Sequence, residues 1–234
     1  MFHEIAILSF IVLIICLIQR QIINLEIKMN LLALDSSILE NNSISRQLMR
    51  QFLDYWQQEN PQAEIIYRDL NTQPINHLSS ELLGAKQKAS ADLSSSLRED
   101  LELSEQLINE FINADELVIA APMYNFTIPS QLKSWVDRVL VAGRTFKYTE
   151  QGVVGLAGEK KVTIISTRGN HYSSDEVMKA RDFQEDYLKV IFDFVGIKDV
   201  SIVRAEGLNI NESIRVKSIS LAEQEIKARF QSTH

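Results

Sequence analysis

The sequence predicts an α/β protein in which five parallel strands form one sheet covered by helices on both faces. Three observations predict it. Short apolar runs recur along the chain, and the strongest are apolar throughout, as strands buried on both faces are. Between them lie longer segments whose apolar residues repeat at i, i+3 and i+4, the pattern of amphipathic helices. Strands alternating with helices imply parallel pairing through helical crossovers, and neither an internal repeat nor a linker divides the chain.

The first run, Asn30 to Asp35, ends at the polar loop SSILENNSIS (36–45). A helix follows, with Leu48, Met49, Phe52, Leu53 and Trp56 on one face and Ser43 or Ser45 as its cap. Ala63 to Leu70 is a second, looser strand. Residues 71–92 are polar, carry Pro74, and read as a long excursion. Leu93 to Ala114 is a helix that Asp115 ends, and Glu116 to Ala121 is a third buried strand stopped by Pro122. Pro129 suits the first turn of a helix running to about Ala142, with Gly143 as its C-terminal cap. Residues 144–159 carry Phe146, Tyr148 and three glycines and read as an irregular, hairpin-like excursion. Lys161 to Ser166 is the fourth strand, a helix fits 176–195, a fifth strand fits Val200 to Ala205, and a last helix fits 211–230. Five strands suit the flavodoxin-like arrangement, which binds ligands at the carboxyl ends of its strands.

Composition narrows the function. Against 24 basic residues stand 31 acidic ones, a net charge of −7, which argues against broad attraction to nucleic acid or anionic lipid. A single cysteine, Cys16, rules out an internal disulfide, and the four scattered histidines show no metal-ligand spacing. A cytoplasmic, one-domain protein is expected. The run Ile5 to Ile18 departs from this picture. As a helix it would span about 21 Å against a hydrocarbon core of about 30 Å. It reads either as a short anchor or as sequence upstream of a functional start at Met29, and the second reading is favoured because a strand begins directly after Met29. Residues 1–28 are therefore set apart from a domain at 29–234.

The loops after the first, third and fourth strands should meet at one crevice. The first is rich in hydroxyl and amide groups and enters a helix N-terminus, where backbone N–H groups and the helix dipole favour a phosphate; the same residues also make ordinary turns and caps. No GxxxxGK[ST] or GxGxxG is present. The second loop, PMYNF, offers apolar and aromatic groups and one amide at a strand end, suited to a flat heterocycle, although loop aromatics can also pack on the next helix. In the third, Gly169 permits close backbone approach. His171 is the one histidine near this crevice, either as a proton donor or as an exposed loop residue.

APMYNFTIPSQLKSWVDRVLVAGRTFKYTEQGVVGL (121–156) strongly resembles the FMN-dependent NADH-azoreductases, bacterial quinone reductases of flavodoxin-like fold. DSSILENNSIS (35–45) is similar to their phosphate loop, STRGN (166–170) to their TSRGG segment, and AEGL (205–208) to their AEG. The resemblance implies that Ser37, Ser43, Ile44 and Ser45 hold the FMN phosphate. It implies that Met123, Tyr124, Asn125 and Phe126 line the isoalloxazine, that Thr167, Arg168, Gly169 and Asn170 cover its other polar edge, and that Tyr148 helps form the substrate pocket. Asn170 stands where the family has a second glycine, and the HYSSDE that follows is shorter than usual.

The resemblance further implies a homodimer with both chains lining each site. Trp135 and Val139 would lie either at that interface or against the sheet. NADH would reduce FMN and leave, and a quinone or an aromatic azo compound would then be reduced at the same flat site, with no catalytic protein nucleophile and no metal. Two rival readings remain at this stage, a non-catalytic electron carrier on the same fold and a membrane-tethered quinone reductase.

Overall fold

The computed structural model describes residues 29–85, 93–174 and 176–231. The apolar run at 5–18 lies outside them. Five strands, β1 (Asn30–Asp35), β2 (Glu64–Asp69), β3 (Glu116–Pro122), β6 (Lys161–Thr167) and β7 (Asp199–Ala205), form one parallel sheet in the order β2-β1-β3-β6-β7. The three central strands are buried almost throughout, which is why their sequences are continuous apolar runs. Between β3 and β6 lies a separate antiparallel pair, β4 (Phe146–Thr149) and β5 (Gly152–Gly155), an ordered form of the expected excursion.

Alternate residues of each strand face opposite helical layers. Leu32, Leu34, Leu117, Ile119, Val162 and Ile164 pack against α3 (Ser95–Asn113), α4 (Ser130–Val139) and α6 (Glu185–Phe194). Leu31, Ala33, Val118, Ala120, Ile165 and Val203 pack against α1 (Ile44–Glu59) and α7 (Glu212–Gln231). Each fully buried aliphatic side chain in these layers contributes about 1.5–3 kcal/mol. Trp135 and Val139 belong to the first layer, 1% and 0% exposed, so they pack on the sheet and do not lie on an interface.

Four elements differ from the sequence reading by more than one residue, each for a local reason. The 71–92 excursion contains a short helix, α2 (Ser80–Ala85), started by Ser79, whose hydroxyl accepts the N–H of Leu82. The next helix starts at Ser95 because Ser94 caps it, its hydroxyl accepting the N–H of Leu97. Helix α4 stops at Val139, with Leu140 as its cap, because Thr145 draws the chain into a turn by donating to the Val139 carbonyl and accepting from the Val141 N–H. Gly143, at φ +81°, sits in that turn and does not cap the helix. The helix expected over 176–195 is two helices, α5 (Glu176–Lys179) and α6, separated by a break in which Asp182 accepts the N–H groups of Gln184 and Glu185. No helix among the described residues is long and apolar enough to cross a membrane.

Candidate functional site

Parallel register sets the first part of the site. It pairs Asp35 with Asp69 at the carboxyl ends of β1 and β2, so two carboxylates meet at the sheet edge. Arg46, in the first turn of α1, resolves the conflict by pairing with Asp35 at 2.6 Å and Asp69 at 2.8 Å. Burial raises the Asp35 carboxyl above its ordinary value despite the Ser37 N–H, the Tyr67 hydroxyl and Arg46 beside it. Burial acts the same way on Asp69, but Arg46 and the N–H groups of Asn71 and Thr72 outweigh it and hold that carboxyl low.

Above this buried cluster runs the serine loop. Ser43 caps α1 by accepting the N–H of Arg46, and its hydroxyl lies 3.0 Å from that of Ser45. The N–H groups of Ile44 and Ser45 are in the first helical turn and have no intrahelical acceptor. Ser43, and not Ser45, is thus the cap. With Arg46 committed below, the loop presents oriented dipoles, and the exposed Arg50 reaches the Asn41 side chain beside them at 3.4 Å, an arrangement suited to a phosphate.

The second part is a two-residue turn. Tyr124 and Thr127 exchange both backbone hydrogen bonds, at 3.0 and 3.1 Å, and between them Asn125 and Phe126 adopt φ +49° and +72°. Both angles lie in the left-handed region, readily adopted by Asn but costing Phe about 1–2 kcal/mol. The turn leaves Phe126 44% exposed at the rim, a strained and solvated aromatic of the kind found at ligand sites. The Tyr124 hydroxyl reaches back to the serine loop, 3.2 Å from Ser37 Oγ, and accepts the Ile38 N–H. The first and second loops are therefore in direct contact.

The third loop follows β6. Met123 N–H donates to the Thr167 carbonyl, joining this loop to the second. Gly169 lies so close to Asn209 that a Cβ there would sit 2.7 Å from its amide nitrogen. Asn170 is exposed, and its side chain accepts the His171 N–H, while His171 packs against Gly207. Arg168 differs from its neighbours. Its side chain is 1% exposed and turned inward, paired with Asp182 at 2.8 Å, Glu206 at 3.1 Å and Glu185. It ties the third loop to the break before α6 and to the AEG turn, and does not face the crevice.

Glu206 explains that turn. It accepts from the N–H groups of Tyr172 and Ser173, from the Ser173 hydroxyl and from Arg168. Burial would raise its carboxyl, but the bonds from Ser173 and Tyr172, with Arg168, hold it below the ordinary 4.5. A depressed folded-state value means that Glu206 contributes stability that is complete above about pH 4.5 and is lost as pH falls through the lower folded value. Urea unfolding measured at decreasing pH should show this acid loss. Glu206→Gln should flatten it and lower neutral-pH stability by about 1–3 kcal/mol. An unchanged acid limb would show that Glu206 does not carry the dependence.

Beside the second loop opens a crevice of about 780 Å³, lined by Ile38, by Met123, Tyr124, Asn125, Thr127 and Ile128, and by Ser130, Gln131, Lys133 and Tyr187 from α4 and α6. Ser37, Ser43, Ile44, Ser45, Met123 to Phe126 and Thr167 to Asn170 all lie at the carboxyl edge of the sheet. Tyr148 does not. It is 73% exposed on β4, edge-on to Phe146, which in turn meets Phe194 at the far end of α6. The Ala157 N–H donates to the Val195 carbonyl, and Gly155 lies so close to Val195 and Gly196 that a side chain would overlap their backbone, so the hairpin is anchored at the opposite, amino edge. Sequence reasoning missed Asp35, Arg46 and Asp69, whose meeting depends on strand register, and Lys133 and Tyr187, which read as ordinary helical polar positions.

A parallel sheet with a serine-lined helix N-terminus after its first strand and a strained aromatic turn after its third is the architecture of a flavodoxin-like protein. A family model described as a flavodoxin-like fold matches residues 29–230. The chain is 51% identical over 203 residues to an FMN-dependent NADH:quinone oxidoreductase of Legionella pneumophila, covering 87% of this chain and 98% of that one. It is 50% identical over 198 residues to a protein of the same name from Chromobacterium violaceum, covering 85% and 98%. A solved FMN-dependent NADH-azoreductase from Bacillus anthracis, in complex with FMN, superimposes with a TM-score of 0.79 at 26% identity, over 87% of this chain and 98% of that one. This chain belongs to the flavodoxin-like family of FMN-dependent NADH:quinone oxidoreductases.

Proposed function

We propose that the protein is an FMN-dependent NADH:quinone oxidoreductase that also cleaves aromatic azo compounds reductively. The observation that carries this reading is the contact between the serine loop and the strained turn, Ser37 Oγ to the Tyr124 hydroxyl at 3.2 Å. It joins a phosphate-binding helix N-terminus to an aromatic turn suited to a planar ring. FMN, when bound, would supply the hydride-transfer chemistry between NADH and the acceptor. The residues present fit it. Ser37, Ser43 and Ser45, with the N–H of Ile44, would hold the phosphate. Met123, Tyr124 and Phe126 would line the ring, and the Asn125 amide would hydrogen-bond its polar edge and stabilise negative charge there. Thr167, Gly169 and Asn170 would close the other edge, whereas Arg168 would act through the loop that it anchors.

Tyr148 enters this reading from a second copy. It stands at the amino edge of its own sheet, so it can line a substrate pocket only across an interface between two chains, as a homodimer with shared sites requires. A cytoplasmic location fits a reaction that draws on NADH, with Met29 as the functional start.

The test is an absorbance spectrum of the protein beginning at Met29, loaded with FMN, before and after anaerobic NADH. Bleaching of the visible band, reversed by a quinone, is the expected result. Bound flavin indifferent to NADH and NADPH would favour an electron carrier, and a monomer at assay concentration would remove Tyr148 from the site.

A further inference from the structure

We infer that the break at residues 182–184 is a brace that fixes the second and third loops of the carboxyl edge relative to each other, with Gln184 as its positioning residue. The apolar spacing of 176–195 suits one continuous helix, yet the chain breaks between α5 and α6, and the break is used three times. Asp182 pairs with Arg168 at 2.8 Å and so reaches the third loop. Phe183 pairs with the strained turn through its main chain: its N–H donates to the Phe126 carbonyl at 3.0 Å, and its carbonyl accepts the Thr127 hydroxyl at 3.2 Å. Gln184, fully buried, spans the two strand ends beneath the crevice. Its amide donates to the Ala121 carbonyl at 2.6 Å, and its oxygen accepts the Ser166 hydroxyl at 3.1 Å.

These contacts fall where the geometry is least able to hold itself. Ala121 and Ser166 sit at the strand ends that lead into PMYNF and STRGN. Two successive left-handed residues, one of them Phe, persist only when their surroundings over-determine them. The Phe183 N–H secures the carbonyl of that Phe. A glutamine amide is a donor and an acceptor in one plane, so it satisfies a carbonyl on one strand and a hydroxyl on the next at once. A carboxylate would lose the donor and an aliphatic chain both. Gln184 touches none of the loops' ligand-facing groups and acts on them through the backbone and Ser166.

The inference rests on FMN occupying this crevice, and its test separates the two. The full chain is compared as wild type, Gln184→Leu, Gln184→Glu, Thr127→Val and Thr127→Ser, by fluorescence titration with FMN, by the bound-flavin visible spectrum and by melting of the flavin-free protein. Gln184→Leu is expected to raise the FMN Kd at least about tenfold and to shift the bound spectrum, with Gln184→Glu intermediate. Thr127→Val should raise the Kd about threefold, while Thr127→Ser, which keeps the hydroxyl, should restore it. Because both side chains act through one brace, Gln184→Leu combined with Thr127→Val should cost less than the product of the single effects. A wild-type Kd and spectrum in both Gln184→Leu and Thr127→Val would overturn the brace. If Gln184→Leu does not fold, Gln184→Glu decides together with the Thr127 pair, since Thr127 also lines the crevice: a wild-type Kd and spectrum in Gln184→Glu overturn the brace whatever the Thr127 variants do. Failure of the wild-type chain to bind FMN would overturn the functional reading itself.

Discussion

Arg168→Met is expected to lower the free energy of unfolding by about 3–5 kcal/mol, measured by urea unfolding of the flavin-free chain at neutral pH. The guanidinium is 1% exposed and neutralises Asp182, Glu185 and Glu206, three carboxylates brought from the break before α6, from α6 itself and from the AEG turn. Arg204 also pairs with Glu185, at 2.8 Å, and its charge is felt at Glu206, but it is more exposed and holds only Glu185 by a direct ion pair. Removing Arg168 leaves buried like charges facing one another without a fork of donors, and water enters such a site only by disrupting the packing around it. Arg168→Lys keeps the charge and loses the fork, so its loss should fall between wild type and Met. A loss below about 1 kcal/mol for Met would mean that the three carboxylates relax to solvent without it.

Ser43→Asp is expected to weaken FMN binding by on the order of 100-fold while leaving the flavin-free protein within about 1 kcal/mol of wild type. Asp is as good an N-cap as Ser, can accept the same Arg46 N–H, and is favoured by the helix dipole. In the loaded protein that carboxylate would stand where the phosphate is to be held. Ser43→Ala provides the opposite case. It loses the cap, about 1 kcal/mol of stability, and retains most of the binding, because the N–H groups of Ile44 and Ser45 remain. Stability by thermal melt and affinity by titration should therefore rank the two variants in opposite orders. Equal affinities for Asp and wild type would remove the serine loop from the phosphate site.

The strands and the crossing helices were legible because burial on both faces leaves continuous apolar runs and burial on one face leaves a helical stripe. Residues 117–121 and 162–165 illustrate the first, and Leu48, Met49, Phe52 and Trp56 the second. The loops at the carboxyl edge followed from topology, and their composition suggested a phosphate and a flat ring. The division of the helix over 176–195 was not legible, because the contacts that break it reach Ala121, Phe126, Ser166 and Arg168, all distant in sequence. The inward turn of Arg168 was hidden for the same reason. The resemblance placed Arg168 with its neighbours at the polar edge of the flavin, and only the three-dimensional meeting of Asp182, Glu185 and Glu206 turns it away. Tyr148 shows a different limit. Resemblance assigned it a role, but not which copy of the chain would supply it.

The commitment of Arg46 to Asp35 and Asp69 bears on how a cofactor would approach the proposed site. At the base of the serine loop one guanidinium is outweighed by two carboxylates, and the whole chain carries −7. An approaching phosphate therefore meets a repulsive far field, which added salt damps over a Debye length of about 8 Å at physiological ionic strength. In the proposed site attraction would begin only at contact, where the fixed N–H and O–H dipoles of the loop would take hold, and such short-range bonds are nearly indifferent to salt. Flavin capture is therefore expected to have an association rate that rises with salt, as stopped-flow mixing would measure, and a rate of loss that hardly changes.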